Sequence, residues 1–226
     1  MYRKADISII ISSNYRSYVY LHLLKKKNFL PRKIIFLNDN NEKKYNIKIQ
    51  KFLKKEKNLQ IKYFFTRNIN SQHVIKYLLL QNEKFFVVSL YPGRDGIVKN
   101  QLILKKKFLI HSHPGKTKHY RGSTTIYYSL LKEKKIYCDT IILSKELDCG
   151  KVIYSSRYPI PKNIYHLDKI YETKIRAINL VESLKKITTK KNFIKKKKIK
   201  SNSIKNNYFI IHPILRLITF NKFKNV

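Results

Sequence analysis

Two runs constrain this chain more than any other feature of it: Ile7-Ser8-Ile9-Ile10-Ile11 and Phe85-Phe86-Val87-Val88-Ser89-Leu90. Each is short, rich in β-branched or aromatic residues, and apolar on both of the faces between which a strand alternates. A strand without a polar face needs cover on both sides, as in a sheet held between helices. Further strand patterns fall at residues 33–37, 59–65, 107–113, 138–143 and 151–154. Most of the gaps carry helical spacing. Ser13 and Asn14 are cap candidates for a helix bearing Tyr18, Leu21, Leu23 and Leu24. A lysine-rich helix at 43–57 has Ile47, Ile49, Phe52 and Leu53 as sparse apolar contacts, and Asn70 or Ser71 can cap a helix with Val74, Ile75, Leu78 and Leu79. Short helices are predicted around 102–104 and at 125–131. A long amphipathic one is predicted at 167–184, with Ile170, Ile175, Ile178, Leu180 and Leu184 on its inner faces. Strands alternating with helices, joined by right-handed crossovers, predict an α/β fold with a doubly wound, mostly parallel sheet.

At 226 residues there is room for one domain and a small appendage. Residues 1–187 read as the main domain, the Lys/Asn/Ser-rich run 188–207 as a loop or linker, and 208–226 as a short C-terminal segment. The tail is apolar from 208 to 219 and offers a surface for a second copy of the chain, a homodimer. No apolar run approaches the roughly 18 residues of a membrane span. The run at 7–11 is too short for a signal sequence, so a cytoplasmic protein with no membrane partner is expected. Cys138 and Cys149 have neither metal spacing nor a disulfide framework, and no metal is expected.

The 50 Lys and Arg against 13 Asp and Glu give a formal net charge of +37. One reading is a polyanionic partner such as tRNA. The other is a codon bias toward Lys, Asn, Ile, Phe and Tyr, which also accounts for the abundant aromatics and for alanine at only Ala5 and Ala177.

His111-Ser112-His113-Pro114-Gly115 closes the strand at 107–113. Residues i and i+2 of a strand share a face, so both imidazoles are presented together. Pro114-Gly115 ends the strand just where open α/β sheets place a ligand crevice. Arg121-Gly122 follows eight and nine residues after His113, and Asp148-Cys149-Gly150 lies further on.

These residues resemble the signature of the folate-dependent formyltransferases, the group that includes methionyl-tRNA, glycinamide-ribonucleotide and nucleotide-sugar N-formyltransferases. In that signature Asn-x-His-Pro/Gly is followed by Arg-Gly at this same spacing and by Asp-x-Gly roughly 35 residues on. One position departs from it: His111 stands where the family usually has Asn. The resemblance covers most of the chain. It is strongest from 111 to 153 and includes the Gly-Ser-Thr-Thr-Ile-Tyr-Tyr-Ser-Leu-Leu string from Gly122, found in short members of the group.

The resemblance implies a formyltransferase-like, Rossmann-type domain using 10-formyltetrahydrofolate as formyl donor and an amine as acceptor. His113 would accept the amine proton or, once protonated, steady the oxyanion, with Asp148 holding its charged form. His111 would donate to the formyl oxygen, as Asn does in the family, and would bring a titrating group where Asn has none. Leu90, Tyr91, Pro92 and Gly93, after the fourth strand, match the loop that meets the pteridine. Arg121 and Gly122 are candidates for the acceptor's site, with bracing of the loop the other role for Arg121. An amino sugar or other small amine is the leading acceptor. Methionyl-tRNA fits the charge, but that branch carries a further β-barrel domain. A basic binding protein that kept the fold without the chemistry is the alternative from another class. His22, His73, His119, His166 and His212 read as surface or packing residues, with His119 nearest the site.

Overall fold

In a computed structural model of the protein, residues 6–38, 42–66, 68–90, 98–189 and 207–224 are described. Seven strands alternate with helices: β1 (Ile7–Ser12), α1 (Tyr15–Lys26), β2 (Lys33–Leu37), α2 (Lys43–Lys55), β3 (Gln60–Phe64), α3 (Gln72–Leu80), β4 (Phe85–Ser89), α4 (Gln101–Lys106), β5 (Phe108–His113), α5 (Thr125–Glu133), β6 (Ile136–Ile142) and β7 (Lys151–Tyr158). Helices α6 (Glu172–Thr189) and α7 (Pro213–Phe223) complete the described chain. The strands form one sheet in the order β3-β2-β1-β4-β5-β6-β7. β1 to β5 are parallel, and β6 and β7 add on antiparallel. This is the expected α/β, doubly wound, mostly parallel architecture.

The alternation in β1 explains the two-layer cover. Ile7, Ile9 and Ile11 pack with α1, α2 and α6, while Ile10 joins Val74, Leu78 and Ile103 of α3 and α4 on the opposite face. Each such fully buried side chain is worth about 1.5–3 kcal/mol relative to exposure. Asn14 caps α1 by accepting from the Ser17 N–H at 2.8 Å.

Several local expectations change. β3 and β7 are the two edges of the sheet, and β3, with Gln60 and Tyr63 exposed, lacks full cover. Ile47 and Ile170 are exposed rather than inward. The predicted helix at 167–184 is preceded by a short 3-10 turn, Ile164–His166, and begins with a π-type turn, Leu167–Tyr171, before the α-helix proper starts at Glu172. α6 runs to Thr189, so Thr188 and Thr189 are helical rather than linker; the rest of that predicted linker, 190–206, lies outside the described residues.

The apolar tail folds back on its own chain. The Tyr208 N–H donates to the Arg121 carbonyl at 2.7 Å, and the Ser123 N–H donates to the Tyr208 carbonyl at 2.8 Å. α7 then packs beside α5, burying Ile211 and Phe223 with Ile126, Tyr127 and Leu130. The outer residues Phe209, Ile210, Ile214 and Leu217 stay exposed. Among the described residues no helix is long and apolar enough to cross a membrane.

Candidate active site

β5 carries His111 and His113 to the carboxyl edge of the sheet, beside the end of β4. The loop after it is tied down at once. Asp139 of β6, opposite His113 in register, accepts from the Thr117 N–H at 2.7 Å and the Thr117 hydroxyl at 2.9 Å. The Thr125 hydroxyl donates to the Pro114 carbonyl at 2.6 Å. A Cβ on Gly115 would lie 3.2 Å from His113 Nε2 and 3.0 Å from Thr125 Oγ1, so glycine leaves room for the imidazole.

His113 is surrounded by oxygen. It is 2% exposed, its Nε2 lies 2.9 Å from the Tyr120 carbonyl, and its Nδ1 lies 3.3 Å from Asp148 Oδ2. A carbonyl only accepts, so Nε2 carries a hydrogen. Asp148 sits at φ 51°, a left-handed conformation that Asp tolerates better than most residues. Its Oδ2 also accepts the Gly122 N–H at 2.9 Å. Burial pushes the Asp148 carboxyl up, but the imidazoles of His113 and His111, the Gly122 N–H and the Arg176 guanidinium outweigh it and hold the carboxyl below its usual value.

Gly122 serves two contacts. Its φ is 93°, and a Cβ there would meet the Tyr208 carbonyl oxygen at 2.3 Å. Glycine thus lets the C-terminal strap lie against the loop while the same residue's amide holds Asp148.

His111 is surrounded by cations. Its Nδ1 is 3.4 Å from the Val88 carbonyl and its Nε2 is 3.4 Å from Arg176 Nη1, both long contacts. Arg176 is buried on α6, donating from Nη1 to the Ser112 carbonyl at 2.7 Å. Its Nε and Nη2 both meet Glu172 Oε1, at 2.9 and 2.7 Å. Arg16 of α1 donates to the Leu90 carbonyl at 3.2 Å nearby. Burial, then the charges of Arg176 and Arg16, push the His111 imidazole down to about 3, with Asp148 opposing and His113 adding to the fall. His111 therefore stays neutral through the physiological range, and the titrating group expected from the Asn-to-His exchange does not titrate there.

A cleft joins the two histidines. Val88, Leu90, Val98, Leu143 and Leu147 give it apolar walls; His111, His113, Ser144, Glu146, Asp148 and Arg176 supply the polar groups. It encloses about 120 Å³. A dry cavity of about 150 Å³ holds one benzene ring. The cleft thus takes a single ring-sized head group, and anything longer extends out of its mouth.

Of the predicted site residues, His111, His113, Asp148, Gly122 and Leu90 meet at this cleft. Tyr91, Pro92 and Gly93 lie outside the described residues. Arg121 is absent from the cleft's lining: buried, it donates from Nε to the Thr117 carbonyl at 2.7 Å and from Nη1 to Cys149 Sγ at 2.9 Å, contacts that brace the loop. His119 is exposed and edge-on to Tyr120, while His22 packs between Tyr18 and Phe52. Sequence reasoning missed Arg176, Glu172 and Arg16. A signal existed for the first pair: Glu172 and Arg176 are four apart, with Arg176 set between Ile175 and Ala177 in a stretch expected to face inward.

No family model matches the sequence, and no curated protein matches it. Solved structures match the fold. A sugar N-formyltransferase from a Shewanella species shares 17% identity, covers 94% of this chain and 85% of its own, and superposes with a TM-score of 0.56. The phosphoribosylglycinamide formyltransferase of Bacillus halodurans shares 14% identity over 82% of this chain and 97% of its own, at a TM-score of 0.60. A formyltetrahydrofolate deformylase from Pseudomonas syringae pv. tomato shares 14% identity over 79% of this chain and 59% of its own, at 0.56. The chain thus has the formyltransferase fold that the residues around His113 led one to expect.

Proposed function

We propose that this chain transfers a formyl group from a 10-formyltetrahydrofolate donor to a small primary amine, with an amino sugar as the leading acceptor class. The observation that carries this reading is the His113–Asp148 pair beside His111 at one apolar-walled cleft, on a formyltransferase fold. The cleft can take one ring of the donor's flat bicyclic head against its apolar walls, with the polar groups of the lining within reach and the rest of the donor in its mouth. The donor supplies a formyl carbon, bonded to nitrogen, that an amine can attack.

The chain's residues handle the charge and the protons. As the amine nitrogen bonds to that carbon, its oxygen gains negative charge; when the bond to the donor nitrogen breaks, the amine sheds a proton and the donor nitrogen takes one. A hydrogen on His111 Nδ1, in only a long contact with the Val88 carbonyl and bordering the cleft, can be shared with the developing oxyanion. His113 has an acceptor at each ring nitrogen, and a proton on both makes it a cation beside that oxyanion, balanced by Asp148. Nε2 is held by the Tyr120 carbonyl at 2.9 Å and Nδ1 by Asp148 at the longer 3.3 Å, so proton exchange at Nδ1 would go by way of the Asp148 contact.

The test is formylation of a panel of amino-sugar nucleotides by wild-type protein and His113→Ala. Turnover by the wild type, falling by about 10²–10⁴-fold in the variant with the fold retained by circular dichroism, supports the reading. No turnover on any amine, with binding of tRNA that persists at near-physiological salt, replaces it with the non-catalytic basic binding protein.

A further inference from the structure

Building on the formyl-transfer reading, we propose that Arg176, anchored by Glu172, is a positioning residue that fixes His111 as a neutral imidazole with its hydrogen on Nδ1 and polarises it toward the formyl oxygen. His111 then fills the place of the family's side-chain amide without moving a proton.

The geometry leaves one protonation form at ease. Arg176 Nη1 is a donor with no lone pair to offer, so His111 Nε2 can only accept from it. On the other side of the ring the Val88 carbonyl accepts, which calls for a hydrogen on Nδ1. Nε2–H would set donor against donor, and a doubly protonated ring would add a cation beside Arg176 and Arg16. The surrounding charged groups come from every side: Arg176 and Glu172 on α6, Arg16 on α1, Asp148 ahead of β7, and His113 on the same strand. Glu172 takes both Nε and Nη2 of Arg176 on one oxygen, and the Ser112 carbonyl takes Nη1, so the guanidinium cannot swing away. A guanidinium pulling on Nε2 makes Nδ1–H a stronger donor, the neutral-imidazole electrophile used for carbonyl polarisation elsewhere.

An asparagine needs no such partner, because an amide has no tautomer to choose. This yields a test that a merely structural arginine would not pass. Arg176→Lys keeps the charge and loses the fork. In the His111 background it should lower kcat by about 10²-fold with KM little changed, the scale of losing one oxyanion donor. In a His111→Asn background the same change should cost less than about fivefold, so the double-mutant cycle shows strong coupling. Glu172→Gln, which leaves Arg176 in place but loosens its anchor, should give a smaller loss, again confined to the His111 background. Equal losses in both backgrounds overturn the proposal.

A second readout needs no turnover. In protein labelled with ¹⁵N-histidine, wild-type His111 should show a neutral ring with its hydrogen on Nδ1 from about pH 5 to about pH 8, and Arg176→Lys should admit the other tautomer or a titration in that range. A wild-type hydrogen on Nε2, or a ring indifferent to Arg176→Lys, overturns the proposal. A wild type that formylates no amine defeats the formyl-transfer reading instead, while the labelled histidines still decide the Arg176–His111 arrangement.

Discussion

His113 ends β5 among acceptors, with a backbone carbonyl at 2.9 Å and a carboxylate at 3.3 Å. His111, two residues earlier on the same strand, faces the guanidinium of Arg176 at 3.4 Å, with Arg16 behind it. One ring has an oxygen acceptor beside each nitrogen, and the other has a guanidinium beside Nε2 that disfavours a second proton. Identical side chains two residues apart thus meet opposite surroundings, oxygen acceptors for His113 and cations for His111. The cations around His111 keep it uncharged, as the formyl-transfer reading requires of a residue standing where the family has an amide.

The largest effect should come from removing the carboxylate that defines the His113 side. Asp148→Asn leaves Nδ1 without a counter-charge, and kcat should fall by about 10²–10⁴-fold in steady-state assays. A loss below tenfold would mean that the two histidines do not differ in the way described.

Gly122→Ala attacks the same side through the backbone. With φ at 93° and a Cβ position 2.3 Å from the Tyr208 carbonyl, the strap must shift and the amide holding Asp148 shifts with it. Urea denaturation should show a loss of about 1–3 kcal/mol, accompanied by lower turnover. Unchanged stability would show that the strap gives way without strain.

The smallest effect sharpens the His111 side. Its folded-state value is depressed to about 3 from an ordinary 6.5, so the unfolded chain binds a proton that the folded chain refuses. Stability is therefore fully present above about pH 6.5 and is lost progressively as pH falls toward the folded value. Asp148, also depressed, adds its own loss only below its ordinary 3.8. Between pH 7 and pH 5 the wild type should lose about 1–2 kcal/mol that His111→Asn does not lose, measured by urea titration at both pH values. Parallel slopes for the two proteins would place the charge of His111 elsewhere.

Legibility in the sequence followed the range of the interactions. β1 and β4 could be read because a strand buried on both faces has no polar face, only an isolated serine among apolar residues, and β2 because a break at Pro31-Arg32 precedes a plain apolar run. The exposure of β3 could not be read, since nothing within a strand says that it lies at the edge of a sheet. α7 went unread although Pro213, at its first turn after His212, is a helix-start signal that the apolar tail obscured. His113 and Asp148 were legible as a spaced motif. Arg176 was not, because its contact with His111 joins residues 65 apart and depends on α6 packing beside α1 and β5. The contact of Arg121 with Cys149 was likewise hidden, because it joins residues 28 apart.

The most direct test of the account is calorimetric titration of 5-formyltetrahydrofolate, a stable analogue of the donor, into wild-type protein and Leu143→Trp at moderate salt. The cleft should bind one analogue per chain with micromolar affinity, and the indole placed in its wall should weaken that binding by at least about tenfold. Absence of saturable heat in the wild type, or binding that Leu143→Trp leaves untouched, would contradict a folate site between His111 and His113.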